Sequence, residues 1–354
     1  MEVYITGTGN ISPQKTFDSD FLSEIITYEN AGQMRCIEPV YKNFIDPMTS
    51  RRMSRIMKMG FCAAKMCLNE AGIENPDAVI VGTGMGCMED TEKFLSSLIS
   101  NDEQLLNPTP FIQSTHNTVA AQIALLLKCH NYNYTYVHRG YSFESALLDA
   151  MMMISENSAK NILVGGSDEL TNNFYTITQR LGHWKKSPVN NLKLLGHKSG
   201  GSIAGEGSTF FMLSQQKNNL TYAKLKALIT FYKPSGREEV KEQIIKFLAG
   251  ENLSLNDIDL VILGLNGDQT YDNTYYSLIE DSFENKACAY FKHLCGEYQT
   301  ASAFALWAGA NIIKQQGIPD VMKLNDHPVK EIRNILIYNH YRNINHSLFL
   351  ISKC

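Results

Sequence analysis

Short β-rich runs, each closing on a glycine or a polar turn, recur along the chain and alternate with longer stretches of helical period. The runs cover residues 3–7, 78–82, 134–137, 162–166, 208–213, 258–264, 288–292, 335–338 and 348–352. Between them, apolar residues return every three or four positions over 52–71, 118–129, 143–155, 238–248 and 299–315, as in Met53, Ile56, Met57, Gly60, Ala63 and Ala64. Strand alternating with helix predicts α/β layering, with helices covering a largely parallel sheet. Two stretches, Met151 to Met153 and 301–313, are apolar nearly all round, which predicts helices buried on more than one side.

Composition narrows this picture. The 354 residues suffice for one large or two ordinary domains, and 44 % hydrophobic against 19 % charged residues excludes a disordered or collagen-like chain. A net charge of −4 without a basic run removes the electrostatic footprint of a nucleic-acid binder. No apolar run approaches the ~18 residues that a membrane span needs. The opening MEVYITGTGN has no charged-then-apolar pattern, so the expectation is a cytoplasmic protein with reduced thiols. The polar segment 215–220 joins two sets of strand and helix, and the Lys-, Ser-, Asn- and Gly-rich stretch 183–201 reads as an excursion loop of the kind that borders sites.

Generic chemistry is sparse. Gly82-Thr83-Gly84-Met85-Gly86 follows a strand but lacks the spacing of a dinucleotide or phosphate loop. Gly140-Tyr141-Ser142-Phe143-Glu144 sits where a nucleophile elbow would, with Glu144 in place of its second glycine. The nine histidines form no HExxH and the eight cysteines no CxxC, so neither a metal nor a cofactor is expected.

Taken together, the segments resemble the β-ketoacyl-ACP synthase branch of the thiolase fold over nearly the whole chain. VYITGTGNISP resembles that family's opening strand, Arg52-Met53-Ser54-Arg55 and the following Ala-rich stretch its first long helix, and VGTGMG its first glycine turn. Pro110-Phe111, Asn117 and Ala120 to Ala124 resemble its PxF…N…AxxIA segment, Leu163 to Glu169 its AGGAEA-type turn, and Gly205-Glu206-Gly207 its GEG. Residues 257–261 and 292–296 resemble the approaches to its two histidine motifs. The order of these segments is the specific signal.

The resemblance implies a five-layer α-β-α-β-α fold built from two similar halves, at 1–217 and 218–354. It also implies a nucleophilic cysteine that takes the acyl group as a thioester and two histidines that assist decarboxylation of the extender. Carried over residue by residue, the cysteine falls on Gly140, the first histidine (HGTGT) on Asn266 and the second (KSxxGH) on Glu297, while the motif lysine is kept as Lys292. Glycine has no side chain to acylate, and an asparagine amide takes no proton at neutral pH. The terminal GFGGTN loop falls on 340–345 and keeps its aromatic as Tyr341, having lost three glycines. Phe111, Tyr141, Phe143 and Tyr341 are candidates for an acyl tunnel or its turns.

The expectation is therefore a degenerate subunit resembling a chain-length factor, partnered with an active ketosynthase as a heterodimer or with itself as a homodimer, and with acyl carrier protein. Its dimer surface would be the aromatic region around 134–137, 143–155 and 107–117. Two alternatives stand beside it: an active synthase or acyltransferase with a noncanonical site around Ser142, His138 and Glu297, and a non-catalytic scaffold that binds acyl carrier protein or a synthase.

Overall fold

The computed structural model describes residues 2–17 and 20–354. Its strands are β1 (Val3–Ile11), β2 (Ala78–Gly82), β3 (Tyr132–Tyr136), β4 (Asn161–Asp168), β5 (Gly207–Ser214), β6 (Ala223–Tyr232), β7 (Leu260–Leu263), β8 (Ala287–Tyr290), β9 (Asn334–Tyr341) and β10 (Asn345–Ser352). They line up as β3-β2-β4-β5-β1-β6-β10-β9-β7-β8. In the first five, β5 is antiparallel to β1 and β4, and β2 is parallel to β4 and β3. The second five repeat this: β10 is antiparallel to β6 and β9, and β7 is parallel to β9 and β8. The halves are thus alike in order and sense, and they join where Val3 to Ile5 pair with Ala223 to Leu225.

Helices complete five layers. One apolar cluster, containing Ile56, Cys67, Val119 and Ile123, covers the outer face of the first half, and another, containing Ile244, Leu248, Tyr275 and Leu278, covers that of the second. The largest cluster lies between the halves, around the Ser142–Ser155 and Ser302–Gln315 helices. Every residue from Ser302 to Ile313 is buried, which accounts for the absence of a polar face in that sequence. Phe143 and Phe304 are both fully buried there, and truncating either to alanine should cost about 3–5 kcal/mol.

The long helix begins at Arg55, later than the periodicity indicates, because Ser54 is extended (ψ 167°). It stops at Gly72, whose φ of 65° is the left-handed conformation that favours glycine. Arg55, in the first turn, donates to both carboxylate oxygens of the fully buried Glu206, one of them at 2.7 Å. Cys36 N and Leu170 N donate to the same carboxylate, each at 2.9 Å. The GEG segment is thereby tied to the helix start and to the loop after β4.

Strand β6 is an element that the run of β-rich segments does not announce. Its Lys224 and Lys226 break the apolar character while Ala223, Leu225 and Leu228 are buried, so it is a half-buried strand whose alternation slips by one residue between Leu225 and Ala227, where its pairing with β10 shifts register. The Met88–Ser100, Asn172–Arg180 and Gln269–Asp281 helices are likewise absent from that pattern. Each buries few residues, with Asp90 the one buried position of the first and Thr178 that of the second.

Candidate functional site

The KSxxGH-like segment is held by a close crossing of two backbones. A Cβ on Gly296 (φ 75°) would stand 2.5 Å from the Cα of Gly205, so neither chain has room for a side chain there. Glu297 N donates to Ile203 O at 2.8 Å and Gly205 N to Glu297 O at 3.0 Å, which fixes Glu297 beside the strand that leads into β5.

On the facing side, Asn266 follows β7 in a tight turn. Asn266 N and Gly267 N donate to the two carboxylate oxygens of Asp272, at 3.1 and 2.7 Å. Burial pushes that carboxyl up to about 7 despite these bonds. Asp268 N donates to Asn266 Oδ1 at 2.9 Å, which leaves Nδ2 facing Glu297. Asn266 Nδ2 and Lys292 Nζ both donate to Glu297 Oε2, at 2.6 and 2.7 Å. Lys292 also donates to His340 O at 3.3 Å. The structure thus brings Asn266, Lys292 and Glu297 into one buried hydrogen-bonded group. The ammonium neutralises the carboxylate, and this group presents no basic imidazole to a substrate.

Gly140 lies in a short turn, Arg139–Tyr141, between β3 and the Ser142–Ser155 helix. Arg139 holds a φ of 48°, a strained conformation for a residue with a side chain. A Cβ on Gly140 would meet Tyr341 Cβ at 2.7 Å and Cγ at 3.2 Å, and Asn345 Cβ at 3.3 Å. Tyr341 therefore occupies the space that a side chain at 140 would need. The turn carrying it is left-handed at Arg342 (φ 53°) and Asn343 (φ 54°), a conformation that costs residues with side chains.

These residues border a cleft of about 110 Å³, lined by Asn266, Asp268, Glu297, Tyr341 and Arg342 on one side and by His183, Trp184 and Gly200 to Ser202 on the other. The 183–201 stretch is thus one wall of the site. Lys185, almost fully buried, pins it, donating to His197 O (3.2 Å), Ser199 O (2.9 Å), Ser199 Oγ (3.1 Å) and Gly267 O. Nothing in the sequence pattern distinguishes this lysine from its neighbour Lys186. Burial pushes the Tyr341 hydroxyl up to about 12, so it holds its proton at neutral pH.

Three other candidates lie elsewhere. Phe143 packs between Phe211 and Phe349, with ring centroids 5.8 and 6.3 Å away, in the central core. Tyr141 is buried with its hydroxyl bonded to Phe231 O and His346 N. Phe111 is exposed and touches Phe94. Ser142 Oγ donates to Arg139 O and accepts from His138 N, both at 2.8 Å, and is fully buried. These bonds tie it back into the turn that precedes the helix, while the His138 ring lies tilted against Tyr141, 5.4 Å between centroids. The structure does not assemble Ser142 and His138 into a nucleophile and base.

Among the described residues no group of three or more His, Cys, Asp or Glu side chains could hold a metal ion. All eight cysteines are free, seven of them buried. No helix there is long and apolar enough to cross a membrane.

The two matched half-sheets around a shared helical layer, with the site at the turn before one central helix, define a thiolase-like fold. The profile of the β-ketoacyl synthase N-terminal domain matches residues 28–219, more than half of the chain, and the chain belongs to the β-ketoacyl synthase family. No curated protein matches it by sequence. Among solved structures, the ishigamide ketosynthase/chain length factor superposes with a TM-score of 0.79 at 18 % identity, covering 100 % of this chain and 99 % of that one. A β-ketoacyl synthase from Burkholderia phymatum STM815 gives 0.77 at 15 %, covering 100 % and 99 %. A ketosynthase in complex with its chain length factor from Xenorhabdus doucetiae gives 0.75 at 14 %, covering 100 % and 98 %.

Proposed function

We propose that this chain is a non-condensing subunit of the chain-length-factor type, which pairs with an active ketosynthase in fatty acid, polyketide or aryl-polyene-like biosynthesis. The observation that carries this reading is the seating of Tyr341 on Gly140: the nucleophile position lacks a side chain and has no room for one. Acyl transfer to the protein needs a nucleophile with an adjacent base, and the nearby Asn266–Lys292–Glu297 group supplies neither. That two of the similar structures contain a chain length factor agrees with the reading.

A partner surface fits the same account. Strand β3 is one edge of the sheet, and its Tyr132 and Tyr134 are 42 % and 49 % exposed with their rings stacked 6.1 Å apart. Val137, Phe111, Ile112 and Met152 are also exposed apolar residues of this region. An unpaired strand edge beside aromatic rings favours a second subunit, and an obligate interface would bury more than about 2,000 Å². The test is co-expression with a Cys-bearing ketosynthase followed by size-exclusion light scattering. The expected result is a stable heterodimer, or a homodimer when the chain is alone. A monomer at micromolar concentration, indifferent to the synthase, overturns the reading.

A further inference from the structure

The ten-stranded sheet is incomplete at the seam between its halves. Strand β6 begins at Ala223, opposite Ile5 of β1, so residues 7–11 of β1 have no strand on that side. Side chains stand in for it. Thr8 N and Oγ1 donate to Glu70 Oε2 at 2.6 and 3.3 Å, Tyr222 OH donates to Glu70 Oε1, and Thr16 Oγ1 donates to Asn10 O at 2.8 Å. What the missing strand leaves is a cavity of 250 Å³, lined from two layers at once. Met66 and Glu70 come from the long helix over the outer face of the first half, and Trp307 and Asn311 from the central layer. The cavity shares no residue with the cleft beside Glu297.

Its wall carries one donor and one acceptor that nothing engages. Asn10, 2 % exposed, accepts from Thr209 Oγ1 at 2.9 Å through Oδ1, while its Nδ2 has no partner. Asn311, 7 % exposed, donates through Nδ2 to Trp307 O at 2.9 Å, and its Oδ1 accepts no hydrogen bond among the described residues. A buried donor without a partner is costly, and a molecule that fills the cavity and accepts from it removes that cost. The rest of the wall is apolar and aromatic, with Phe21 and Trp307 edge to face at 5.1 Å between centroids. Charges of both signs flank the space: Glu70 and Asp20 line it, and Lys314 Nζ lies 3.6 Å from the centre of the Tyr222 ring. A ligand of either charge therefore meets its like.

We propose that this seam cavity is a second ligand site, which binds a small neutral aromatic amide: the carbonyl accepts from Asn10 Nδ2, the N–H donates to Asn311 Oδ1, and the ring lies against Met66, Tyr222 and Trp307. Apolar walls with a few convergent polar groups are the usual make-up of a small-molecule site. A dry cavity of about 150 Å³ is enough for benzene, so 250 Å³ has room for the amide as well. Binding is non-covalent, and it depends neither on the missing nucleophile nor on a partner subunit.

The experiment titrates the full chain with benzamide, benzoate and benzamidine, which share one shape and differ in hydrogen bonding. Benzoate has no N–H for Asn311, and benzamidine, a cation at neutral pH, has no carbonyl for Asn10. The chain has two tryptophans, Trp307 at the cavity and Trp184 at the cleft, so the two indole N–H signals of an isotope-labelled sample report the two places separately. Benzamide is expected to move the Trp307 signal with a Kd of about 1 mM, the range open to so small a ligand, and to leave Trp184 in place. Benzoate and benzamidine should each bind about fivefold weaker or more, the worth of one hydrogen bond. Asn10→Ala should weaken benzamide by a similar factor. Met66→Trp, which fills the cavity from the outer helix and removes no hydrogen bond, should abolish the shift, and it keeps the test open if Asn10→Ala folds poorly. No saturable movement of Trp307 up to about 20 mM benzamide, equal affinity for the three ligands, or a shift that survives Met66→Trp overturns the proposal.

Discussion

Tyr341 seals Gly140: a β-carbon at 140 would stand 2.7 Å from the β-carbon of Tyr341, closer than unbonded carbons approach. Placing a nucleophile at 140 therefore requires more than one substitution. Gly140→Cys alone should lose about 1–3 kcal/mol in denaturant unfolding, as overpacked sites do. Adding Tyr341→Gly relieves the clash but empties the space of a buried aromatic ring, so the double variant should be no more stable than Gly140→Cys while gaining room for the thiol. The double variant would take up an acyl group at most, since turnover also needs Asn266→His and Glu297→His. If Gly140→Cys is as stable as the parent, the contact is not there.

A second prediction concerns Arg55 and Glu206. The carboxylate is fully buried and bound by a guanidinium and two backbone amides. Arg55→Met leaves Arg35, 3.6 Å from Oε2 and partly exposed, as its remaining cation, and should cost up to about 3 kcal/mol, read as a lowered denaturant midpoint. Arg55→Met with Glu206→Gln should cost less than the single change. Equal losses would show that the charge pair is not the source.

The loop wall gives a third. Lys185→Met removes the donor shared by His197 O, Ser199 O and Gly267 O. Amide hydrogen exchange over 183–201 should speed up by about tenfold or more, with the outer cores of both halves unchanged. Unchanged exchange in that loop would contradict the latch.

The fourth is a pH dependence. Glu144 is fully buried, bonded to Ser347 Oγ at 2.9 Å, and burial raises its carboxyl from 4.5 to about 7. A raised acid binds more protons folded than unfolded between those values, so its contribution to stability falls as pH rises from about 4.5 through 7. Glu144→Gln mimics the protonated form and should match the parent near pH 5. By pH 8 it should exceed the parent by up to about 3 kcal/mol. The buried His293 and His346, lowered to about 3 and 4, work in the opposite sense below pH 6.5, so only the difference between variant and parent is informative. A difference independent of pH would refute the assignment.

Much of this was legible in the sequence because the relevant signals are local. β-rich runs ending in glycine or a polar turn mark nine of the strands, and the resemblance to the family's two histidine motifs singles out Asn266, Lys292 and Glu297, which the fold joins through one carboxylate oxygen. Strand β6 escaped because Lys224 and Lys226 alternate with its buried residues, a weaker signal than an unbroken apolar run. The seal on Gly140 was beyond reach, since Tyr341 lies some two hundred residues away and acts through van der Waals contact, which leaves no motif. Lys185 was missed for a similar reason: its partners are backbone carbonyls, and any residue carries those.

Absence of a nucleophile is the claim on which the rest depends, and intact-protein mass spectrometry tests it most directly. The purified chain is incubated with a labelled acyl donor and malonyl carrier protein, alone and with the partner synthase. With no thiolate at 140 and the Ser142 hydroxyl engaged by His138 N and Arg139 O, the account predicts an unchanged mass in both mixtures. A stoichiometric acyl adduct on this chain, at Ser142 or at any cysteine, would contradict it.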